Sequence, residues 1–267
     1  MRPLGVIGPL SRDVVAGGDA RIGGGPWHAA RALRALRQEA IVVAKCGQEE
    51  RAPFLRRLAS LGIPVSLVTD GATTAFSMSY DAELNRTMVV EDVGEPWREE
   101  DLPPQLLRRV EWLHVAPLLR GDFPPELLER LARGRRLLYD GQGLVRPRRA
   151  GPLELDGDFD RALLRSVTVL KLAEEEARAI VGDAPLEDLR GLGVPEVVVT
   201  FGLGGSLVLT RTLTERVRAH PVDADPTGAG DAFSVAYLGA RAAGHGPLSA
   251  ARRATALVAS LLAGRVR

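Results

Sequence analysis

The chain has 267 residues, 45% of them apolar and 26% charged, enough for one large core carrying small appendages. Its 35 lysines and arginines nearly balance 34 aspartates and glutamates, and the net charge of +1 excludes an electrostatic footprint for nucleic acid or an acidic membrane surface, so any phosphate binding must be local. The lone Cys46 excludes an internal disulfide and a cysteine-based zinc site, and it fits a reducing compartment.

In chain order, Met1-Arg2-Pro3 carries no signal-peptide pattern, and no uninterrupted apolar run is long enough to span a bilayer, so the expected location is the cytoplasm. Short apolar β-rich runs recur at 4–8, 40–44, 65–69, 112–115, 136–139, 167–170 and 197–200. Amphipathic helical patterns lie between and after them at 27–37, 53–61, 125–133, 174–181, 229–243 and 248–263, with Pro26, Pro125 and Pro247 near helix starts. This alternation predicts an α/β sandwich around a mostly parallel sheet.

One stretch breaks the rhythm. Segments 73–81 and 86–91 read as strands joined by Ala82-Glu83-Leu84-Asn85, a hairpin inserted into a parallel pattern and hence a candidate lid. Segment 146–158, with two prolines, two glycines and clustered arginines, reads as a long surface loop.

The strongest chemical signal is Asp225-Pro226-Thr227-Gly228-Ala229-Gly230-Asp231-Ala232-Phe233, followed by an apolar helical pattern. Small residues at a helix start let backbone N–H groups approach an anion, where the helix dipole adds partial positive charge. Such a turn can hold the charge that builds on a transferring phosphoryl group. Asp231, in the first helical turn beside it, can accept a proton from an attacking hydroxyl. The alternative is a tight glycine turn with Asp231 only stabilising the helix N-terminus.

The nine-residue segment closely resembles the C-terminal signature of the ribokinase/PfkB carbohydrate kinases. The resemblance implies a ribokinase-like three-layer α/β/α sandwich with a mostly parallel central sheet and a small β lid. It implies one kinase domain over residues 1–267, with the lid formed near 10–20 and 73–91. In that family the aspartate is the catalytic base and the preceding amides are the anion hole, roles that fall on Asp231 and on Gly228, Ala229 and Gly230.

Other stretches carry the likeness along the chain. Gly8-Pro9-Leu10-Ser11-Arg12-Asp13 is similar to the first strand and acceptor-binding aspartate, which makes Asp13 the candidate for gripping substrate hydroxyls. Gly23-Gly24-Gly25-Pro26-Trp27-His28 looks like the diglycine substrate motif, with Gly24, Gly25 and His28 toward the acceptor and His28 in place of the usual asparagine. Asp140-Gly141-Gln142-Gly143-Leu144-Val145-Arg146 resembles a segment whose arginine holds a phosphate or substrate carboxylate. Lys171-Leu172-Ala173-Glu174-Glu175-Glu176 looks like the K-x-N-x-x-E motif, which puts Lys171 at the nucleotide and Glu176 at magnesium through water; Ala173 replaces the motif's asparagine. Thr200-Phe201-Gly202-Leu203-Gly204-Gly205 resembles the T-x-G-x-x-G turn, so Thr200, Gly202 and Gly205, with Thr227, are expected on the nucleotide side.

These likenesses imply ATP-dependent phosphoryl transfer to a hydroxyl of a small sugar or polyol, with Mg2+ and in some members a monovalent cation, and a homodimer paired through the lid. Two rivals stand beside that reading. One keeps the fold and takes a nucleoside, an inositol-like cyclitol or a vitamin precursor; the other is a nucleotide- or sugar-binding regulatory protein with weak catalysis. Neither a P-loop nor a dinucleotide-binding glycine fingerprint occurs. His114, His220 and His245 receive no role.

Overall fold

The computed structural model describes residues 2–15, 17–80, 86–219 and 227–264. Asp225, Pro226, His220 and the hairpin connection at 82–85 lie outside the described residues. The chain opens with β1 (Leu4–Pro9), buried throughout, then β2 (Ser11–Val15) and β3 (Arg21–Gly23). Helix α1 (Gly25–Ala35), β4 (Ala40–Cys46), α2 (Arg51–Ala59), β5 (Val65–Thr69), β6 (Thr74–Tyr80) and β7 (Arg86–Asp92) follow. The middle supplies α3 (Pro104–Arg109), β8 (Trp112–Val115), α4 (Pro125–Ala132), β9 (Arg136–Asp140), the single-turn α5 (Gln142–Val145) and β10 (Gly151–Pro152). The last third holds β11 (Val169–Ala173), α6 (Glu174–Val181), β12 (Glu196–Thr200), β13 (Ser206–Thr210), β14 (Thr214–Val217), α7 (Ala229–Ala242) and α8 (Pro247–Leu262).

Among the described residues the larger sheet runs β14-β13-β12-β11-β9-β8-β1-β4-β5. It is parallel from β5 to β12, with β13 and β14 added antiparallel at one edge. Its strands are nearly continuous apolar runs because helices cover both faces. Alternate residues point to opposite faces, so Val42 and Ala44 join the core made with α1, α2, α7 and α8. Ile41 and Val43 join the core made with α4, α5 and α6. The same alternation divides Leu138 from Leu137 and Tyr139, and Val198 from Val197 and Val199, giving three layers.

The smaller sheet runs β10-β7-β6-β2-β3, parallel between β2 and β6 and antiparallel elsewhere. Phe76 and Val90 pack with Leu118 and Leu119, and Met78, Met88 and Leu153 border them. Here the reading of 146–158 as a plain surface loop is corrected: Gly151 and Pro152 pair with Val90 and Val89 at the sheet edge. A two-residue strand with proline and glycine gives no periodicity to read, and an edge position is where proline costs no ladder bond. The expected strand at 167–170 starts instead at Val169, because 161–166 forms 3-10 turns that end as the Val167 N–H donates to the Leu164 carbonyl at 3.0 Å.

Helix α7 runs through the middle of one layer and buries Phe233, Val235, Tyr237 and Leu238. Near its C-terminal end the Tyr237 hydroxyl donates to Glu196 Oε2 at 2.8 Å. Arg241 donates to Oε2 at 3.1 Å and to Oε1 at 2.6 Å, a two-pronged pairing that fixes α7 to the start of β12. Of the two lysines, Lys45 is spent on structure: its Nζ reaches Asp101 at 2.9 Å, the Pro96 carbonyl at 3.0 Å and Asp70 at 3.3 Å. Among the described residues no helix is long and apolar enough to cross a membrane.

Candidate active site

The site is built where parallel strands end under the start of α7. In the sheet β8, β9 and β11 are neighbours; His114 is in register with Leu138, and Asp140 with Lys171. Because side chains alternate, His114, Asp140 and Lys171 share the face of Leu138 and Val169, which is the face that α7 covers. Three polar side chains thus occupy positions where the rest of these strands is apolar, and all are buried. Ligands in open α/β sheets bind beyond the carboxyl ends of the strands, which is where this cluster lies.

The electrostatics follow from crowding. Lys171 Nζ lies 3.2 Å from Asp140 Oδ2. Burial opposes the charge on Lys171, but Asp140, Glu176 and Asp231 outweigh it and hold the ammonium well above its ordinary range. Burial also opposes the charge on Asp140, and there Lys171 wins, keeping the carboxyl below its usual range. Burial raises Glu176, whose Oε2 accepts the Ala173 N–H at 2.7 Å. Asp231 is pushed up to about 8, first by burial and then by the charge of Asp140, so in the ligand-free protein its carboxyl holds a proton at neutral pH.

Gly228 caps α7 in a left-handed conformation with φ 79°, and Ala229, Gly230 and Asp231 form the first turn. A side chain at Gly230 would put its Cβ 2.9 Å from Lys171 Nζ, so the ammonium sits directly beneath the turn. A side chain at Gly228 would strike the His28 ring. His28, read from sequence as an acceptor residue, therefore borders the glycine turn that opens α7. The glycines allow backbone N–H groups, a helix dipole and a fixed cation to meet at one point, an arrangement suited to a phosphoryl group.

The other wall comes from β2 and the start of α1. Gly24 has φ 90°, and a Cβ there would lie 2.6 Å from the Pro9 carbonyl; one at Gly25 would lie 3.0 Å from Asp231 Oδ1. The diglycine thus lets α1 begin against the aspartate. Asp13 is half-buried beside Gly23 and raised by burial, with the Ser11 hydroxyl and Arg146 opposing that rise. Arg146 approaches Glu176 at 4.0 Å, and its charge reaches both Asp13 and Asp231.

The structure therefore brings together Asp13, Gly24, Gly25, His28, Arg146, Lys171, Glu176 and Gly228 to Asp231. Thr200, Gly202 and Gly205 stand one strand further along: Thr200 is in register with Ala173 and donates to the Leu172 carbonyl at 3.2 Å. The turn after it has φ of 53° at Gly202 and 89° at Gly205, exposes Leu203, and lies beside Arg216, whose guanidinium covers the Phe201 ring at 4.3 Å. Thr227 is exposed immediately before Gly228. Sequence reasoning missed His114 and left Asp140 without a role. The signal available was a polar residue on the buried face of an otherwise apolar strand.

A family model described as "pfkB family carbohydrate kinase" matches residues 14–266. The chain belongs to the pfkB family of carbohydrate kinases. This pfkB member is 29% identical over 263 residues to a fructokinase of Klebsiella pneumoniae, covering 90% of this chain and 84% of that one. It is also 29% identical over 256 residues to a cytidine kinase of Thermococcus kodakarensis, covering 89% and 88%. Among solved structures, a pyrophosphate-dependent kinase in the ribokinase family, complexed with a pyrophosphate analog and myo-inositol, superposes with a TM-score of 0.81 at 24% identity over 97% of this chain and 94% of that one. The fold is thus ribokinase-like, and the pfkB protein is a kinase whose acceptor is an alcohol group.

Proposed function

We propose that this pfkB kinase moves the terminal phosphoryl group of ATP to a hydroxyl of a small sugar or polyol, in the cytoplasm. The observation that carries the reading is Asp231 Oδ1, shielded from water, without a hydrogen-bonding partner among the described residues, and facing the glycine start of α1. Once ionised, a carboxyl so placed is available to an incoming hydroxyl.

Asp13 and the Gly24-Gly25 backbone hold the acceptor, and Asp231 takes the proton as the acceptor oxygen attacks. The amides of Gly228, Ala229 and Gly230, with Lys171 beneath them, carry the charge on the transferring group. Arg146 adds a second cation between acceptor and base. His28 borders the transferring group. Thr200, Gly202, Gly205 and Thr227 line the donor side. Magnesium bound with the donor would neutralise phosphate charge, and Glu176, one of whose oxygens accepts the Ala173 N–H, would help to hold it through water. The smaller sheet serves as a lid that excludes water, and two copies pair through it.

The test is a turnover screen with magnesium over sugars, polyols, cyclitols and nucleosides. It is run with ATP and in parallel with pyrophosphate, beside Asp231→Asn. ATP-dependent turnover of a sugar or polyol that the substitution abolishes is expected. Turnover only with a nucleoside or cyclitol would reassign the acceptor, and turnover only with pyrophosphate would reassign the donor. No turnover with any pair, while ATP still binds, would sink the catalytic reading in favour of a regulatory protein.

A further inference from the structure

His114 has no exposure to solvent, and neither of its ring nitrogens has a hydrogen-bonding partner among the described residues. An imidazole always has at least one N–H to donate and, when neutral, one lone pair to offer, so both groups have lost water without replacement. Asp231 Oδ1 shares this condition. A ring nitrogen of His114, a carboxylate oxygen of Asp140 and one of Asp231 all lie within 4.8 Å of one another.

That spacing suits a small occupant held between three groups. Three atoms no further apart than that limit lie at most about 2.8 Å from their common centre, within hydrogen-bonding reach of a single water oxygen. Buried polar atoms left without protein partners are the usual sites of internal water.

We propose that His114, Asp140 and Asp231 enclose one water molecule, through which His114 acts as a positioning residue for Asp231. The water supplies one acceptor and two donors: the His114 N–H donates to its oxygen, its two O–H groups donate to carboxyl oxygens of Asp140 and Asp231, and the second ring nitrogen of His114 keeps no partner among the described residues. Burial drives His114 down to about 4, so the ring stays neutral and keeps a single N–H for this purpose. A bond donated to Asp231 favours its ionised form and offsets part of the burial that opposes it.

The rival occupant is a divalent ion, since one histidine and two aspartates can ligate metal. Two features disfavour it. The Lys171 ammonium already lies 3.2 Å from Asp140 Oδ2, and an ion on Asp231 would occupy the electron pair that the base needs. The groups facing Asp231 are Asp140 from β9, Lys171 from β11, Arg146 after α5 and Glu176 from α6, with His114 from β8 and the His28 ring of α1 against Gly228. Burial keeps His114 neutral among those groups.

The inference rests on Asp231 as the base, and its experiment separates the two. kcat/KM is followed over about pH 5.5 to 9.5, where it reports groups of the free enzyme, for the parent, His114→Leu and His114→Gln. The leucine variant is expected to move the ascending limb up by about one pH unit and lower kcat/KM at pH 7 about tenfold, with acceptor KM unchanged. The glutamine variant, which keeps an N–H donor, returns the limb toward the parent. A leucine variant whose limb coincides with the parent's overturns the proposal. Independently of whether either variant folds, a high-resolution crystal structure of the parent should show one solvent peak touching all three side chains; no peak, or a peak matched by stoichiometric divalent metal, also overturns it. Turnover retained by Asp231→Asn would sink the base reading itself, whatever the His114 variants do.

Discussion

Helix α7 carries buried charge at both ends, and the two ends differ in one respect. Near its C-terminal end Glu196 accepts from Tyr237 and from two nitrogens of Arg241, so both carboxylate oxygens and the phenol have partners. At its N-terminal end three carboxylates share Lys171 and a more distant Arg146, and atoms of Asp231 and His114 have no partner among the described residues. A satisfied buried network holds a structure together, whereas one left open in an otherwise well-packed protein marks chemistry. The difference lies in hydrogen-bond satisfaction, since both clusters are buried and charged.

The largest way to break this comparison is Asp231→Asn. Removing the base should cost roughly 10³-fold or more in kcat, within the range of positioned general bases. The unfolding midpoint should not fall, because the amide replaces a carboxyl that burial already disfavours. A calorimetric scan beside the turnover assay checks both halves; a large loss of stability would mean that this end, too, is structural. At the other end, Arg241→Leu leaves Glu196 buried without its cation and should cost about 3 kcal/mol in denaturant unfolding with acceptor KM unchanged.

The pH dependence sharpens the contrast. Folding raises Asp231 to about 8, so the base form appears only as pH climbs through that value, and kcat/KM at pH 6 should be about a hundredth of its alkaline plateau. The linked stability runs the opposite way: the native state binds this proton more tightly than the unfolded chain, so the contribution of Asp231 falls as pH rises from about 4 to 8. Chemical denaturation at several pH values should show that slope in the parent and lose it in Asp231→Asn. The smallest expected effect is Gly230→Ala, whose Cβ 2.9 Å from Lys171 Nζ presses on the buried ammonium; about tenfold in kcat should be lost, with a fall of about 1 kcal/mol in denaturant unfolding.

Much of the architecture is legible in the residues. The strand at Val65–Thr69 and the helix at Glu174–Val181 fall where the periodicity places them, and Pro26, Pro125 and Pro247 each sit in a first helical turn. The edge strand Thr214–Val217 escaped because three of its four residues are exposed, so no buried face imposes alternation. The glycine-rich start of α7 announces itself locally, because Gly228 takes a left-handed φ and a side chain at Gly228 or Gly230 would meet His28 or Lys171. His114 does not: a lone histidine in an apolar strand has no spacing partner, and its link to Asp140 and Asp231 exists only after β8 and β9 are set in register and α7 is laid across them.

The short strand Gly151–Pro152 joins the smaller sheet only five residues after Arg146, and between them Arg148 grips Asp122 at 2.7 Å and also the Gly94 carbonyl that follows β7. Five residues of chain span at most about 18 Å, which leaves little slack. The smaller sheet and the guanidinium beside Glu176 are therefore on one tether. Any displacement of the sheet would therefore pull on Arg146, so the stretch of backbone that edges the sheet also fixes where that guanidinium stands relative to Glu176 and Asp231.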